Sequence, residues 1–449
     1  QPKIPLLQQK WIFEMGSSPI MKYRIIILAV IAFLLISSAV IFAFGRKDGG
    51  KTALTIEFWG LDEPAAWSAI ITAYQTANPG RAIKYVKKDA ATYERDLLNA
   101  LASGVGPDIA AINNTWLNKH QNKFSPMTGG FMNADSFKNT FVDTAAADLI
   151  VGNNIYALPF YADTLALYYN KTLFNNAGLV NPPKTWDAFN EAVKELATVS
   201  EGGTIGRAGA ALGTANNVNH ASDILSLLML QTGTVMVNTN RQASFGQTVS
   251  LNSRPYNPGL AALDFYTSFA SISKPVYTWN ARMPNSLSAF SSGKAAMYLG
   301  YAGDLKSIAS SAINYSLAPM PQVKDSKTNP DYLDVNFASY HSGAVTQLSR
   351  NKTAAWDFLV FATSQNAANS YLTQTRLPTA RRDLVPYQAT DPVLAVFAKQ
   401  ALTAFNWPQP DDTEVTRIFN RLIDDVAQGR STSAEAIREA EVEVSNLLK

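Results

Sequence analysis

The side chains able to carry a proton, a metal or a nucleophile are few in this chain and poorly spaced for such work. The three histidines, His120, His220 and His341, stand far apart, with no HExxH and no ligand-like spacing. Each therefore reads as a solvated or hydrogen-bonded side chain. No cysteine occurs in the 449 residues, which excludes disulfides, zinc ribbons, thiol catalysis, iron–sulfur clusters and a lipid-bearing cysteine. Gly104-Val105-Gly106 runs into Pro107-Asp108 and not into Gly-Lys-Thr, so it is no phosphate cradle. No Gly-x-Ser-x-Gly elbow is present. Glycoside hydrolysis needs two carboxylates about 5–9 Å apart across a cleft, a pairing made in space and not in sequence. The adjacent pairs Asp62-Glu63 and Asp411-Asp412 point their side chains apart and read as surface or polar-contact residues. Nothing here supports catalysis, and no metal or cofactor is implied.

Binding is a different matter, and it depends on what the chain can build. Composition is that of a globular protein, 47% hydrophobic, 11% aromatic and 16% charged, against about 25% charged for an average soluble chain. The length suggests two or three domains at about 150 residues each. The formal charge of +3 is too small for a nucleic-acid binder. Even that excess is local: Lys3, Lys10, Lys22, Arg24, Arg46 and Lys47 face only Glu14 and Asp48 in the first fifty residues, leaving the rest slightly acidic.

Ile25 to Phe44 is an uncharged run whose helix would cover about 30 Å, the thickness of a bilayer core. Basic residues flank it and favour a cytoplasmic segment over 1–24. Residues 25–44 are therefore expected to form a single-pass anchor, with 45–52 as a short tether. Cleavage near Ala43-Phe44-Gly45 would instead release a secreted body, although the run exceeds the usual signal-peptide core of about 7–15 residues. Residues ahead of Met21 read as an extended start and are assigned no function.

Beyond the tether, Ala53 to Trp59 is rich in β-branched and aromatic residues and predicts a strand ending at Gly60. A helix follows from Pro64 to Ala77, then a strand at Ile83 to Val86, a helix from Tyr93 to Ser103 and a strand at Pro107 to Ile112. That alternation predicts a parallel α/β sheet. Tyr156 to Asn170 is a long extended aromatic run. Thr185 caps a helix lined by Trp186, Phe189, Val193 and Leu196. Val415, Ile418, Phe419, Leu422, Ile423 and Val426 recur at helical spacing, and Thr432 to Glu435 is a capping box for a last helix.

Six stretches together resemble the family 1 extracellular solute-binding proteins of ABC importers, the group typified by maltose-binding proteins. They are LTIEFWG at 54–60, ALASGVGPDIAAI at 100–112, YALPFYADTLALYYNKTLFNNAGL at 156–179, PPKTWDAF at 182–189, AFSSGKAAMYLGYAGD at 289–304 and LPTARRD at 377–383. The resemblance implies a two-lobe α/β fold of the type II periplasmic-binding-protein kind, with a hinge and an interdomain cleft. It places one lobe at 53–160 with a return at 342–388, and the other at 161–341 with helices at 389–449. It implies capture of a carbohydrate by hinge closure and delivery to an ABC permease, from a monomer with its body outside the cytoplasm. The alternatives are a polyol phosphate, polyamine or peptide ligand on the same fold, or an extracellular glycosidase.

Sugars offer hydroxyls to carboxylates and amides, and apolar faces to aromatic rings. Asn114 and Trp116, in a polar loop just past a strand, suit that task. The resemblance adds Trp59, Asp62 and Glu63 after the first strand, Tyr161 and Asp163 in the first crossing, Tyr301 and Asp304 in the second lobe, and Trp407 in a late loop. Trp279 is a looser candidate. Asp108, Trp186, Phe290, Met297, Trp356 and Phe358 are expected to be scaffold.

Overall fold

The computed structural model describes residues 53–251, 253–324 and 333–449. The anchor and tether expected over 25–52 lie outside them. Among the described residues no helix is long and apolar enough to cross a membrane.

The first sheet is built from β1 (Leu54–Gly60), β2 (Arg81–Lys87) and β3 (Ile109–Asn113), joined by α1 (Pro64–Ala77) and α2 (Tyr93–Ala102). β1 and β3 are parallel, Phe58 facing Ile109 in register. Two later strands, β4 (Ala157–Pro159) and β12 (His341–Val345), complete the order β2-β1-β3-β12-β4, with β12 antiparallel to both neighbours. Pro64 opens α1, where a missing N–H costs nothing. Its Trp67, Ile70 and Tyr74 are buried beside Phe58, and α6 (Lys352–Ala362) and α7 (Gln365–Thr375) add Trp356, Phe358 and Tyr371 to the same core. Asp108 acts as scaffold here, accepting from the Glu57 N–H at 2.9 Å and the Ser349 hydroxyl at 2.6 Å.

A second sheet has the order β10 (Tyr315–Ala318), β6 (Ala166–Asn170), β9 (Ala295–Gly300), β8 (Ile205–Ala210) and β7 (Thr198–Val199). Residues alternate across β6, so Leu167 enters one core and Tyr168 the other. The larger core holds α3 (Trp186–Leu196), α4 (Ala221–Gln231), α5 (Pro258–Ser268), α9 (Asp412–Ala427) and α10 (Ser433–Leu447). The smaller one packs Phe290 and Tyr298 against Phe397 of α8 (Leu394–Gln400). The capping box of α10 is formed as its sequence predicts: Thr432 accepts from the Glu435 N–H, and Glu435 accepts from the Thr432 N–H.

The aromatic run at 156–170 is not one strand. It breaks into β4, β5 (Asp163–Thr164) and β6, because the chain passes there from one sheet to the other. β5 pairs with β11 (Asn336–Ser339), which pairs in turn with β13 (Ala404–Phe405). These three short strands are the crossings. Gln400, four residues ahead of β13, holds β5, its amide donating to the Thr164 hydroxyl at 3.1 Å and the Leu165 carbonyl at 2.9 Å.

Close approach of α3 to β8 depends on Gly209. A Cβ there would lie 2.4 Å from the Val193 carbonyl oxygen and 2.8 Å from its Cα, both backbone atoms that cannot rotate away. Gly209→Ala is expected to lower stability by about 1–3 kcal/mol through overpacking. Urea denaturation checks this; an unchanged midpoint would mean that α3 shifts freely.

Candidate ligand site at the lobe junction

The end of β9 carries the densest polar group. Asp304 Oδ2 accepts from the Tyr298 hydroxyl at 2.8 Å, the Tyr301 N–H at 3.1 Å and His220 Nε2 at 3.1 Å. The Tyr301 ring meets His220 edge-on at 4.8 Å, and its hydroxyl donates to Asp223 Oδ2 at 2.8 Å. Burial pushes the Asp304 carboxyl up, but the bonds from His220 and Tyr298 outweigh it and leave it below the usual range. Burial pushes the His220 imidazole down, and Asp304 overrides this to hold it above its ordinary value. Both shifts run in the direction that favours an ion pair between the two.

Asp163 joins this group from the crossing strand β5. It is 4% exposed and accepts from the backbone N–H of Thr164 at 2.9 Å, Ala302 at 3.0 Å and Gly303 at 3.1 Å. Burial raises its carboxyl to about 7, against the pull of those three donors. Beside it, the Tyr161 hydroxyl lies 2.8 Å from His341 Nδ1. Burial lowers the His341 imidazole, and Asp62 opposes it.

On the first lobe, Asp62 Oδ2 accepts from the Tyr371 hydroxyl at 3.0 Å and Trp67 Nε1 at 3.3 Å. Its charge reaches Tyr161 as well. Glu63 is exposed and paired with Lys87 at 2.5 Å; the Lys87 hydrogen bond holds its carboxyl low, and Lys306 of the second lobe adds to this. Asp62, Glu63, Tyr161, Asp163, Tyr301 and Asp304 thus sit where the lobes approach.

The other candidates are placed differently. Trp59 is 8% exposed, with Nε1 on Glu57 and the Lys88 ammonium 3.3 Å from its ring centroid. Asn114 is buried and bridges Asp148 and Tyr340. Trp116 stacks on Tyr93 with centroids 5.9 Å apart. Trp407 lies in the second core, stacked on Phe419 and donating to the Ser226 hydroxyl. Trp279 is wholly buried there too. Sequence reasoning missed His220, Asp223, Tyr298 and Tyr371. Only the pairing across the fold reveals them, although the left-handed backbone of His220, with φ of 60°, marks it as unusual once seen.

All three histidines have polar partners, His120 lying 2.8 Å from Glu94. Among the described residues no cluster of His, Asp or Glu could hold a metal ion. Open depressions of about 600 and 620 Å³ on the second lobe are lined by none of the site side chains named above.

Comparison with known proteins identifies the family. The profile of the bacterial extracellular solute-binding protein family matches residues 59–369. A galactooligosaccharide-binding protein of Bacillus subtilis is 22% identical over 371 residues, covering 80% of this chain and 81% of that protein. A putative binding protein of Brucella abortus is 27% identical over 169 residues, 37% of this chain. That match spans only 39% of the Brucella protein's length. Among solved structures, a cyclic α-maltosyl-1,6-maltose binding protein from Arthrobacter globiformis superposes with a TM-score of 0.73 at 18% identity, covering 88% of this chain and 99% of that one. A cyclo/maltodextrin-binding protein complexed with maltotetraose gives 0.69 at 21% identity, over 87% and 96%. The fold is shared with these two-lobe proteins, and the chain belongs to the bacterial extracellular solute-binding protein family.

Proposed function

We propose that this protein is the extracytoplasmic receptor of an ABC importer, capturing a carbohydrate between two lobes and delivering it unchanged to a membrane permease. The observation that carries the reading is the triple crossing through β5, β11 and β13, with Asp163 and the His220–Asp304 group beside it. Short crossing strands are where a hinge can absorb rotation, and clefts between domains are favoured ligand sites. The lobes comprise 53–160 with 342–388, and 161–341 with 389–449. The apolar run at 25–44 tethers the body to the membrane, which keeps it at high concentration beside its transporter.

Asp62, Asp163, Asp223 and Asp304 are carboxylates, and His220 is the cation among them. An anionic solute such as a polyol phosphate would find no free cation there, since His220 is already paired with Asp304. The group favours a neutral sugar, or secondarily a polyamine. Ligand contact is assigned to Asp62, Tyr161, Asp163, Tyr301 and Asp304 at the junction, and to Glu63 at its edge. Trp59, Asn114, Trp116 and Trp407 are buried and would reach a solute only after movement of the loops that cover them.

A thermal-shift screen against sugars, polyamines, peptides and polyol phosphates tests the reading. A true ligand at 100 times its dissociation constant should add about 2.7 kcal/mol. Chromatography of the sugar after prolonged incubation should return it intact. Hydrolysis products would sink the receptor reading in favour of a glycosidase, and a shift confined to anions would overturn the assigned ligand class.

A further inference from the structure

Glu94, Lys119 and Asp411 form an ion-pair chain between the lobes. Glu94 lies in α2 beside Tyr93, and Lys119 follows Trp116 and Leu117; all three neighbours belong to the first core. Asp411 is the N-cap of α9, whose Val415 and Ile418 belong to the second. Lys119 Nζ is 3.0 Å from Glu94 Oε1 and 2.5 Å from Asp411 Oδ2. The side chains are 30%, 23% and 16% exposed, so water screens them only in part. Because the backbones on either side belong to different cores, the link exists only near the lobe separation seen here.

We propose that the lobe separation seen here is the closed form and that the Lys119–Asp411 pair is a latch that sets how much of the protein occupies it. The latch rests on the receptor reading above and deepens it. A solute that binds the closed form pays for whatever fraction is open, so apparent affinity follows the closed fraction. Solute affinity then becomes sensitive to ionic strength even for an uncharged sugar. At about 1 M salt the screening length is near 3 Å, short enough to weaken such a pair.

The chain has no cysteine, so Ala65→Cys and Ser307→Cys provide two unique spin-label sites on the exposed surfaces of opposite lobes. Double electron–electron resonance on the full chain then reads lobe separation without any solute. K119M and D411N are each expected to lower the closed-to-open ratio about 3- to 10-fold, the range of a partly buried pair. D411N keeps the helix cap, since asparagine accepts the same N–H. The double variant should be no more open than either single one, because one interaction is lost in each case. High salt should move the wild type toward the variants and leave the variants unmoved. Thermal melts confirm that each variant folds. Variant distributions that superimpose on the wild type at low salt, or additive single effects, would overturn the latch. Maltotetraose and a galactooligosaccharide mixture form a separate arm. Narrowing of the wild-type distribution by either supports the receptor reading whatever K119M does. No response to any solute counts against that reading, while the salt and variant arms still decide the latch.

Discussion

Asp304→Ala should destabilise the protein by about 2–3 kcal/mol. The carboxylate accepts from Tyr298, Tyr301 and His220, and its removal leaves His220 without its counter-charge. Breaking a buried pair costs about 3–5 kcal/mol; the side chains here are 28% and 16% exposed, which reduces that figure. The sign with pH follows from the two shifts. His220 is raised, so its contribution is complete below the unfolded value of 6.5 and is lost as pH rises through the folded one. Asp304 is lowered, so its contribution is present above 3.8 and is lost as pH falls through the folded value. The penalty of D304A should therefore peak between about pH 4 and 6.5 and shrink on both sides. Urea denaturation across pH measures it. A penalty that stays the same below about pH 4 and above about pH 6.5 as between them would mean lost packing rather than a lost ion pair. H220Q provides the second arm, removing the alkaline limb while keeping a donor for Asp304.

Local features of the fold were legible because local chemistry decides them. Pro64 marks the start of α1, Thr432 and Glu435 cap α10, and the spacing from Val415 to Val426 buries one face of α9. The run from Tyr156 to Asn170 was legible as extended but not as three strands, since nothing in a β-rich stretch says which sheet each part joins. The site was harder still. Asp163, Tyr301 and Asp304 could be placed through the family resemblance, whereas His220 stands 84 residues from Asp304 and has no local signal. Trp116 follows a polar stretch past a strand, which suggests a ring open to solute, and Trp407 is placed in a late loop through the resemblance. Tyr93 and Phe419 cover them from other elements, and only tertiary packing brings those partners in.

Asp163 should produce a large pH effect on stability. Its carboxyl is raised to about 7 by burial, so its stabilising contribution is complete below the unfolded value near 3.8 and is lost as pH rises through about 7. By about pH 8 the loss is on the order of 4 kcal/mol. D163N cannot ionise. Its amide oxygen can keep the bond from the Ala302 N–H, but its NH₂ then faces the Gly303 N–H, donor against donor, at a cost of about 1–3 kcal/mol. The variant should thus be less stable than the wild type near pH 4, and the two stability curves should converge or cross by about pH 8. His220 titrates in the same direction, so the comparison is cleanest with H220Q in both proteins. If D163N loses stability with pH as steeply as its parent, the proton belongs elsewhere in the Asp163–His220–Asp304 group, whose members titrate together. If the curves cross, ionisation of a residue in the crossing strand is coupled to the turn that carries Tyr301. The same proton would then tune both the hinge and the face it presents to a solute.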